Sequence, residues 1–282
     1  MGSNVMQHTL TKVILERFVC DGKVQVVIKK TGAVHESSPK TEARVKNFLT
    51  AYKDLVETVF HEIEGGLTPL FGAIDTERHL STDEQYTAKM AVVLHLLRSV
   101  RTKKRFDAVA QEEFTKAAES LKKAPPEFIE AFRSEHGYDP GEEDMAELAI
   151  TADAITNEYI QKVKKNGTFD RFIGEMYEKF KDFMEDTEVE IGIACGSETL
   201  VLPDVGALIR DHKADKNGFS HDVSLTTADI IMLTIGPRHV ISIVRGKYKG
   251  KRPEYTNLSD EVVKKINRLM IDDAEVKYYR MS

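Results

Sequence analysis

The segment Met90-Ala-Val-Val-Leu94, followed by Leu96-Leu97, lies within a helical pattern from Tyr86 to Val100 that is apolar on nearly every side. Such a helix has no face to give to water, so other elements must enclose it. Ser81-Thr-Asp-Glu84 reads as a capping box at its start. The chain is therefore expected to build a shell around this central helix. With 282 residues, 41% of them hydrophobic, it has the apolar surface to do so and is too apolar for a disordered polymer.

Apolar periodicity supplies the shell. Leu10, Val13, Ile14 and Phe18 share a stripe of a short helix over Thr9–Phe18. A long amphipathic helix is expected from Thr41 to about Ile63, ended by Gly65-Gly66, with a short helical restart from Thr68-Pro69 to Ile74. Further helices are expected at Phe106–Leu121, Pro126–Ser134, Glu142–Val163, Phe169–Met184 and from Ser259 to Leu269. Strand patterns lie at the two ends of the chain. Lys23–Lys29 and Ala33–Glu36 flank a Lys-Thr-Gly turn as a hairpin, and Val189–Ala194, Thr199–Leu202, Ile230–Ile235 and Val240–Val244 are short β-rich runs. Glu275–Arg280 is a weak terminal strand. An isolated N-terminal hairpin would leave costly edges, so the two ends are expected to meet in one sheet. The fold class is α+β: a mainly helical core with a small, mostly antiparallel sheet built from the N-terminal hairpin and C-terminal strands. We expect a single domain over 1–282, helical at about 41–187 and β-rich at 10–40 and 188–282.

Composition narrows the functional classes. Lys and Arg total 40 against 46 Asp and Glu, a net charge of -6, so no global field draws the chain to nucleic acid or anionic lipid. Cys20 and Cys195 match no zinc or redox spacing, no apolar run reaches membrane-spanning length, and Met1–Leu10 lacks the regions of a signal peptide. These features predict a reduced, cytoplasmic protein with no membrane association. No GxSxG, Walker loop, HExxH, paired CxxC or dinucleotide fingerprint occurs.

Several groups are candidates for chemistry. Glu57, His61 and Glu64 share one face of the long helix and present two carboxylates and an imidazole that could hold a divalent metal; a salt-bridged face is the alternative. His95 and Arg98 interrupt the apolar central helix. A desolvated guanidinium needs a partner, either an acid such as Glu64 or a bound anion. Arg101, Lys103, Lys104 and Arg105 form the densest basic cluster, a candidate nucleic-acid contact or a complement to the helix terminus. Asp204 follows an apolar strand and precedes Gly206, a position suited to an active-site acid or to a turn-forming Asp. His221-Asp222, after Asn217-Gly218, reads as an exposed loop pair.

Separated pieces of the chain resemble the bacterial family catalogued as domain of unknown function 4238. Gln7-His8 through Phe18 is similar to its opening motif, with Lys12 at the basic position and Thr11 where the motif has Pro. Asp21-Gly22, Lys30-Thr-Gly32 and Ser38-Pro39 fit its hairpin, Ile63-Glu64-Gly65 its Ile-Glu-Gly element, and Leu97-Arg98-Ser99 its Leu-Arg-Thr-Pro element. Leu200–Gly206 stands where the family has a strand running into Ser-Asp-Asn-Pro, with Pro203, Val205 and Gly206 as departures. The resemblance implies that His8, Glu64, Arg98 and Asp204 belong to one pattern and a shared pocket.

The leading expectation is a hydrolase acting on an anionic or phosphate-containing substrate. In it Asp204 is general base or metal ligand, His8 general acid or base, and Arg98 the clamp oriented by Glu64, with Lys12 and His95 also on the substrate side. The alternatives are a noncatalytic binding or regulatory module engaging another protein, and a nuclease or nucleic-acid-binding protein using Arg101, Lys103, Lys104 and Arg105.

Overall fold

A computed structural model describes residues 6–46, 48–49, 53–210, 228, 230–246, 249–250 and 253–281. The chain runs through β1 (Met6–His8), α1 (Lys12–Glu16), β2 (Val24–Ile28), β3 (Val34–Ser37), β4 (Arg44–Lys46), α2 (Lys53–Asp75), α3 (Thr82–Leu97), α4 (Val100–Lys122), α5 (Pro126–His136), α6 (Glu142–Lys165) and α7 (Thr168–Glu185). It continues with β5 (Thr187–Ala194), β6 (Leu202–Pro203), β7 (Leu208–Arg210), β8 (Ile230–Thr234), β9 (His239–Arg245), β10 (Tyr255–Leu258), α8 (Asp260–Asp273) and β11 (Lys277–Arg280). The loop carrying Asn217-Gly218 and His221-Asp222 lies outside the described residues. Two compact units are formed, one from the stretches up to Phe48, Lys53–Thr102 and Phe172 onward, the other built mainly on Lys103–Arg171.

In the first unit α3 is the enclosed helix that its sequence demands. Met90, Ala91, Val92, Val93, Leu94 and His95 are all fully buried. Its start is a capping box in which the Ser81 hydroxyl accepts from the Glu84 N–H, while the Glu84 carboxylate accepts from the Ser81 N–H at 2.8 Å. On one side lies α2, and α3 also packs against β5, β8 and β9. Gly66 makes the helix pair close, because a Cβ there would stand 2.8 Å from Thr87 Oγ1.

The two ends of the chain do meet. The hairpin β2–β3 joins β11 and β6 in an antiparallel four-stranded sheet of order β3-β2-β11-β6, with Tyr279 opposite both Val26 and Leu202. The terminal strand is thus central to its sheet, and Tyr279 is fully buried. The sheets are more numerous than expected. A five-stranded sheet of order β10-β5-β9-β8-β7 is antiparallel except for the parallel pair β10–β5, and β1–β4 forms a two-stranded ribbon. Ala194, Leu200, Leu208 and Val240 form one core with Val263, Ile266 and Met270 of α8.

The long N-terminal helix differs from the periodicity. Thr41–Lys46 is turn and strand, and α2 begins at Lys53 and runs through Gly65, Gly66 and Pro69 to Asp75. Burial of Leu67, Leu70 and Ile74 against the first unit's core overrides the helix-breaking preference of these residues. The strand expected at Thr199–Leu202 shrinks to the two residues of β6, and β7 and β10 carry too little alternation to be read in advance.

The second unit is sparsely packed. Ala118, Ala152, Ile160 and Phe169 are buried, Phe169 stands 5.3 Å from Phe106 between ring centroids, and Phe114 stacks on Tyr159. α5 ends at Gly137 after a run of aromatic contacts from Phe128 through Phe132 to Tyr138.

The Ser81 cap is a local test of how strongly α3 is anchored. Ser81→Ala is expected to lower stability by about 1 kcal/mol. Urea unfolding should show a reduced midpoint with an unchanged slope.

Candidate functional site

Arg98 ends α3 with its side chain buried, 6% exposed. Its Nη1 donates to Glu64 Oε1 at 2.7 Å, Nη2 lies 3.9 Å from Glu57 Oε2, and the guanidinium covers the Phe60 ring at 5.2 Å. Glu57, Phe60 and Glu64 follow one another at helical spacing on α2, so a single face of that helix supplies both carboxylates and the ring. The pairing anticipated between Arg98 and Glu64 is present. Arg98 Nε is buried and has no hydrogen-bond partner among the described residues.

The opening segment comes to the same place. Thr11 Oγ1 donates to Glu64 Oε1 at 3.3 Å, and the Thr11 N–H donates to His95 Nε2 at 3.2 Å. His95 Nδ1 stands 2.7 Å from the Ala91 carbonyl oxygen. Because Nε2 accepts, Nδ1 must carry the proton and donate, which makes the ring the neutral Nδ1–H tautomer. Burial pushes its pKa down to about 4, against a smaller raising effect of the Ala91 bond. His95 therefore ties α1 to α3 and presents no free nitrogen.

Gly206 completes the enclosure. It adopts φ +78, and a Cβ there would lie 2.9 Å from His95 Cβ and 3.0 Å from Leu10 Cδ2. The Leu200–Gly206 stretch thus seats its glycine against His95.

His8, at the end of β1, is half-buried. Its Nε2 is buried without a partner among the described residues. Desolvation, with the charges of Arg44 and Arg98, lowers the His8 pKa below the usual value despite the opposing effect of Glu64. At neutral pH His8 is then a neutral imidazole in the field of Arg98 and Glu64.

The other predicted residues lie in different settings. Asp204 Oδ1 accepts from the Glu275 N–H at 2.8 Å, and Oδ2 from the N–H groups of Val276 and Lys277 at 2.9 and 3.1 Å. Its carboxylate thereby fixes the entry to β11. Lys12 pairs with Glu16 at 3.0 Å on the exposed side of α1. His61 is 72% exposed and stands 3.8 Å from Glu57 and 3.7 Å from Glu64. Among the described residues no group of three or more His, Cys, Asp or Glu is arranged to hold a metal ion. Arg101 is engaged internally, 2.8 Å from the fully buried Asp273 and 3.0 Å from Glu275. Lys103 covers the Phe169 ring at 4.2 Å.

A further polar cluster escaped the sequence reading. Arg17 donates to both oxygens of Asp75 at 2.9 and 2.5 Å and to His239 Nδ1 at 3.2 Å, and it covers Phe71 at 4.7 Å. It joins α1, the end of α2 and β9. The buried Glu42, bonded to Lys277 and Tyr279, was also missed. A lone acid between Thr41 and Ala43 carries no periodic signal; only its burial reveals it.

The site is a set of buried charged and polar groups in an α+β protein, drawn from β1, α1, α2 and α3. The chain belongs to the family described as "Protein of unknown function (DUF4238)", which matches residues 6–280. No curated protein and no solved structure matches it. No described helix is long and apolar enough to cross a membrane. Segments that resemble the family's motifs converge in space, since Thr11, Glu64, Arg98 and Gly206 all border the His95–Arg98 end of α3.

The buried neutral His95 sets a pH dependence. Its folded pKa is about 4, below the unfolded value near 6.5, so the unfolded chain binds the extra proton between these limits. The stabilisation is fully present above about pH 6.5 and falls away as the pH drops toward 4, by about 3 kcal/mol in all. Denaturant titrations of the wild type should show that slope. His95→Gln should be less stable at neutral pH and show a flatter profile in this window.

Proposed function

We propose that the His8–Arg98–Glu64 cluster is a hydrolytic site for an anionic or phosphate-containing substrate. The observation that carries this reading is the pair of buried nitrogens without a partner among the described residues, His8 Nε2 and Arg98 Nε. Buried polar groups are nearly always satisfied, and with His8 as the Nδ1–H tautomer the two orphaned nitrogens suit a ligand that offers both a hydroxyl and an oxyanion. A water or a protonated phosphate oxygen has that complement.

In this reading the neutral His8 ring, as its Nδ1–H tautomer, takes a proton at Nε2 from the attacking water and later returns it to the leaving group. Arg98 holds the anionic oxygen through Nε–H and stabilises the charge that develops on it. Glu64 fixes the guanidinium through Nη1, and Phe60 supports its plane. Thr11, at the position of the motif's proline, bonds Glu64 and so braces the clamp. Asp204 acts on the backbone of β11, so proton transfer rests with His8.

A second reading, a noncatalytic binding module, is favoured by one observation: Glu64 and Glu57 already oppose the Arg98 charge. The two readings part on turnover. The internal engagement of Arg101 lends no support to the nuclease alternative.

The test is hydrolysis of p-nitrophenyl phosphate, bis-p-nitrophenyl phosphate and p-nitrophenyl acetate between pH 5 and 9. Wild-type protein should turn over at least one of them, with a rising limb below about pH 6.5 because His8 titrates below the ordinary histidine range. His8→Gln should lower kcat by about 10²- to 10⁴-fold while the protein stays folded. Absence of turnover, together with no stabilisation by inorganic phosphate, would refute the site.

A further inference from the structure

We infer that Arg44 is a further substrate-binding residue of the proposed site and takes a second anionic group, so that the substrate class is ligands with two adjacent phosphate groups. This rests on the reading of His8 and Arg98 as one site, and the closing experiment separates the two.

The β1–β4 ribbon sets Met6 opposite Lys46, Gln7 opposite Val45 and His8 opposite Arg44. Residues directly opposite each other in a sheet share a face, so His8 and Arg44 project from the same side of the ribbon. Their spacing is the close one. The Thr9 N–H donates to the Ala43 carbonyl at 2.7 Å, one step along the same register. Hydrogen-bonded and non-hydrogen-bonded pairs alternate along an antiparallel ladder, which makes His8 and Arg44 the non-hydrogen-bonded kind, with Cα atoms about 4.5 Å apart. Side chains stand nearest each other in such a pair.

Two bonds lay this segment along the Arg98 ion pair. Gln7 Nε2 donates to Glu57 Oε1 at 3.1 Å and Thr11 Oγ1 to Glu64 Oε1 at 3.3 Å, and Glu57 and Glu64 are the carboxylates that meet Arg98. His8 lies between these two anchors in the chain.

The two guanidinium groups differ in what they can offer a ligand. That of Arg98 is buried and already opposed by carboxylates. Arg44 is exposed and makes no hydrogen bond or ion pair with the described residues. A cation directly across the ribbon from His8 also disfavours the imidazolium that general-base action would form there. Burial first, then the charges of Arg44 and Arg98, hold the His8 pKa below its usual value, in keeping with that opposition. An anionic group bound to Arg44 cancels the penalty at the moment the ring takes up its proton. With Cβ atoms about 4.5–5.5 Å apart, Arg44 serves a group adjoining the one at His8 and not a remote one. A guanidinium fork matches the oxygens of a phosphate, which makes a second, neighbouring phosphate the group that fits.

The experiment is calorimetric titration at neutral pH and low ionic strength with inorganic phosphate and with methylenediphosphonate, a diphosphate analogue whose P–C–P bridge resists hydrolysis. The proteins are the wild type, Arg44→Gln, Arg44→Lys and Lys46→Gln. The wild type should bind both ligands, the diphosphonate more tightly. Arg44→Gln should weaken diphosphonate binding about tenfold and phosphate binding by less than about twofold. Arg44→Lys should recover part of the loss. Lys46→Gln removes an equal charge two residues along the same exposed row and should change either affinity by less than about twofold. Because Arg44 is exposed, these substitutions leave the fold intact. Diphosphonate binding unchanged in Arg44→Gln, an equal loss of both ligands in that variant, or an equal loss of diphosphonate in Lys46→Gln would overturn the inference and leave the His8–Arg98 site standing. A wild-type protein that binds neither ligand would overturn both.

Discussion

A guanidinium buried at the end of an apolar helix must be compensated, and much of the N-terminal half of this protein is arranged to do so. Arg98 cannot shed its proton, so its desolvation has to be offset by charge and hydrogen bonds. Glu64 and Glu57 meet it from one face of α2, Phe60 covers it, and Thr11 reaches Glu64 from the opening segment. Removing one member of a buried pair typically costs about 3–5 kcal/mol, with less expected here because Glu64 is partly open to solvent. The register of α2 against α3, and of α1 against both, follows from this requirement together with the close approach at Gly66 and the Thr11–His95 bond.

The two histidines of the region are both neutral, yet they are neutral in different ways. His95 has both nitrogens spent, one accepting and one donating, and serves as a fixed strut. His8 Nε2 is buried with no partner among the described residues, in the field of Arg98. A ring nitrogen withheld from both solvent and protein lowers stability unless a ligand uses it, which is the physical reason for proposing His8 for the chemistry and His95 for the scaffold.

Much of this was legible in the sequence, for identifiable reasons. An Arg within an apolar helix demands an acid, and Glu64 was the acid at hand. The Ser81-to-Glu84 capping box and the meeting of the N-terminal hairpin with β11 follow from equally local rules. The misreadings share a cause, which is that tertiary burial overrides local preference. Gly65-Gly66 read as a stop and Thr68-Pro69 as a restart, but α2 runs on unbroken because Leu67, Leu70 and Ile74 are buried and Gly66 admits Thr87. The five-stranded sheet was missed as a separate body because β7 and β10 are short and gain their order from pairing. At Asp204 the side chain holds the backbone N–H groups of Glu275, Val276 and Lys277 and not those of its own turn, a contact that no local rule announces. Glu42 and Arg17 were invisible, since one charged residue in a turn or at the end of a short helix looks like any solvated one.

The central claim is that the orphaned His8 Nε2 and Arg98 Nε face a common ligand. A crystal structure of the wild-type protein soaked at neutral pH in inorganic phosphate tests it most directly. The account predicts phosphate density with oxygens about 2.7–3.2 Å from both nitrogens and with the Arg98–Glu64 pair intact. Phosphate absent from this position, with His8 Nε2 or Arg98 Nε bonded to protein groups instead, would contradict it.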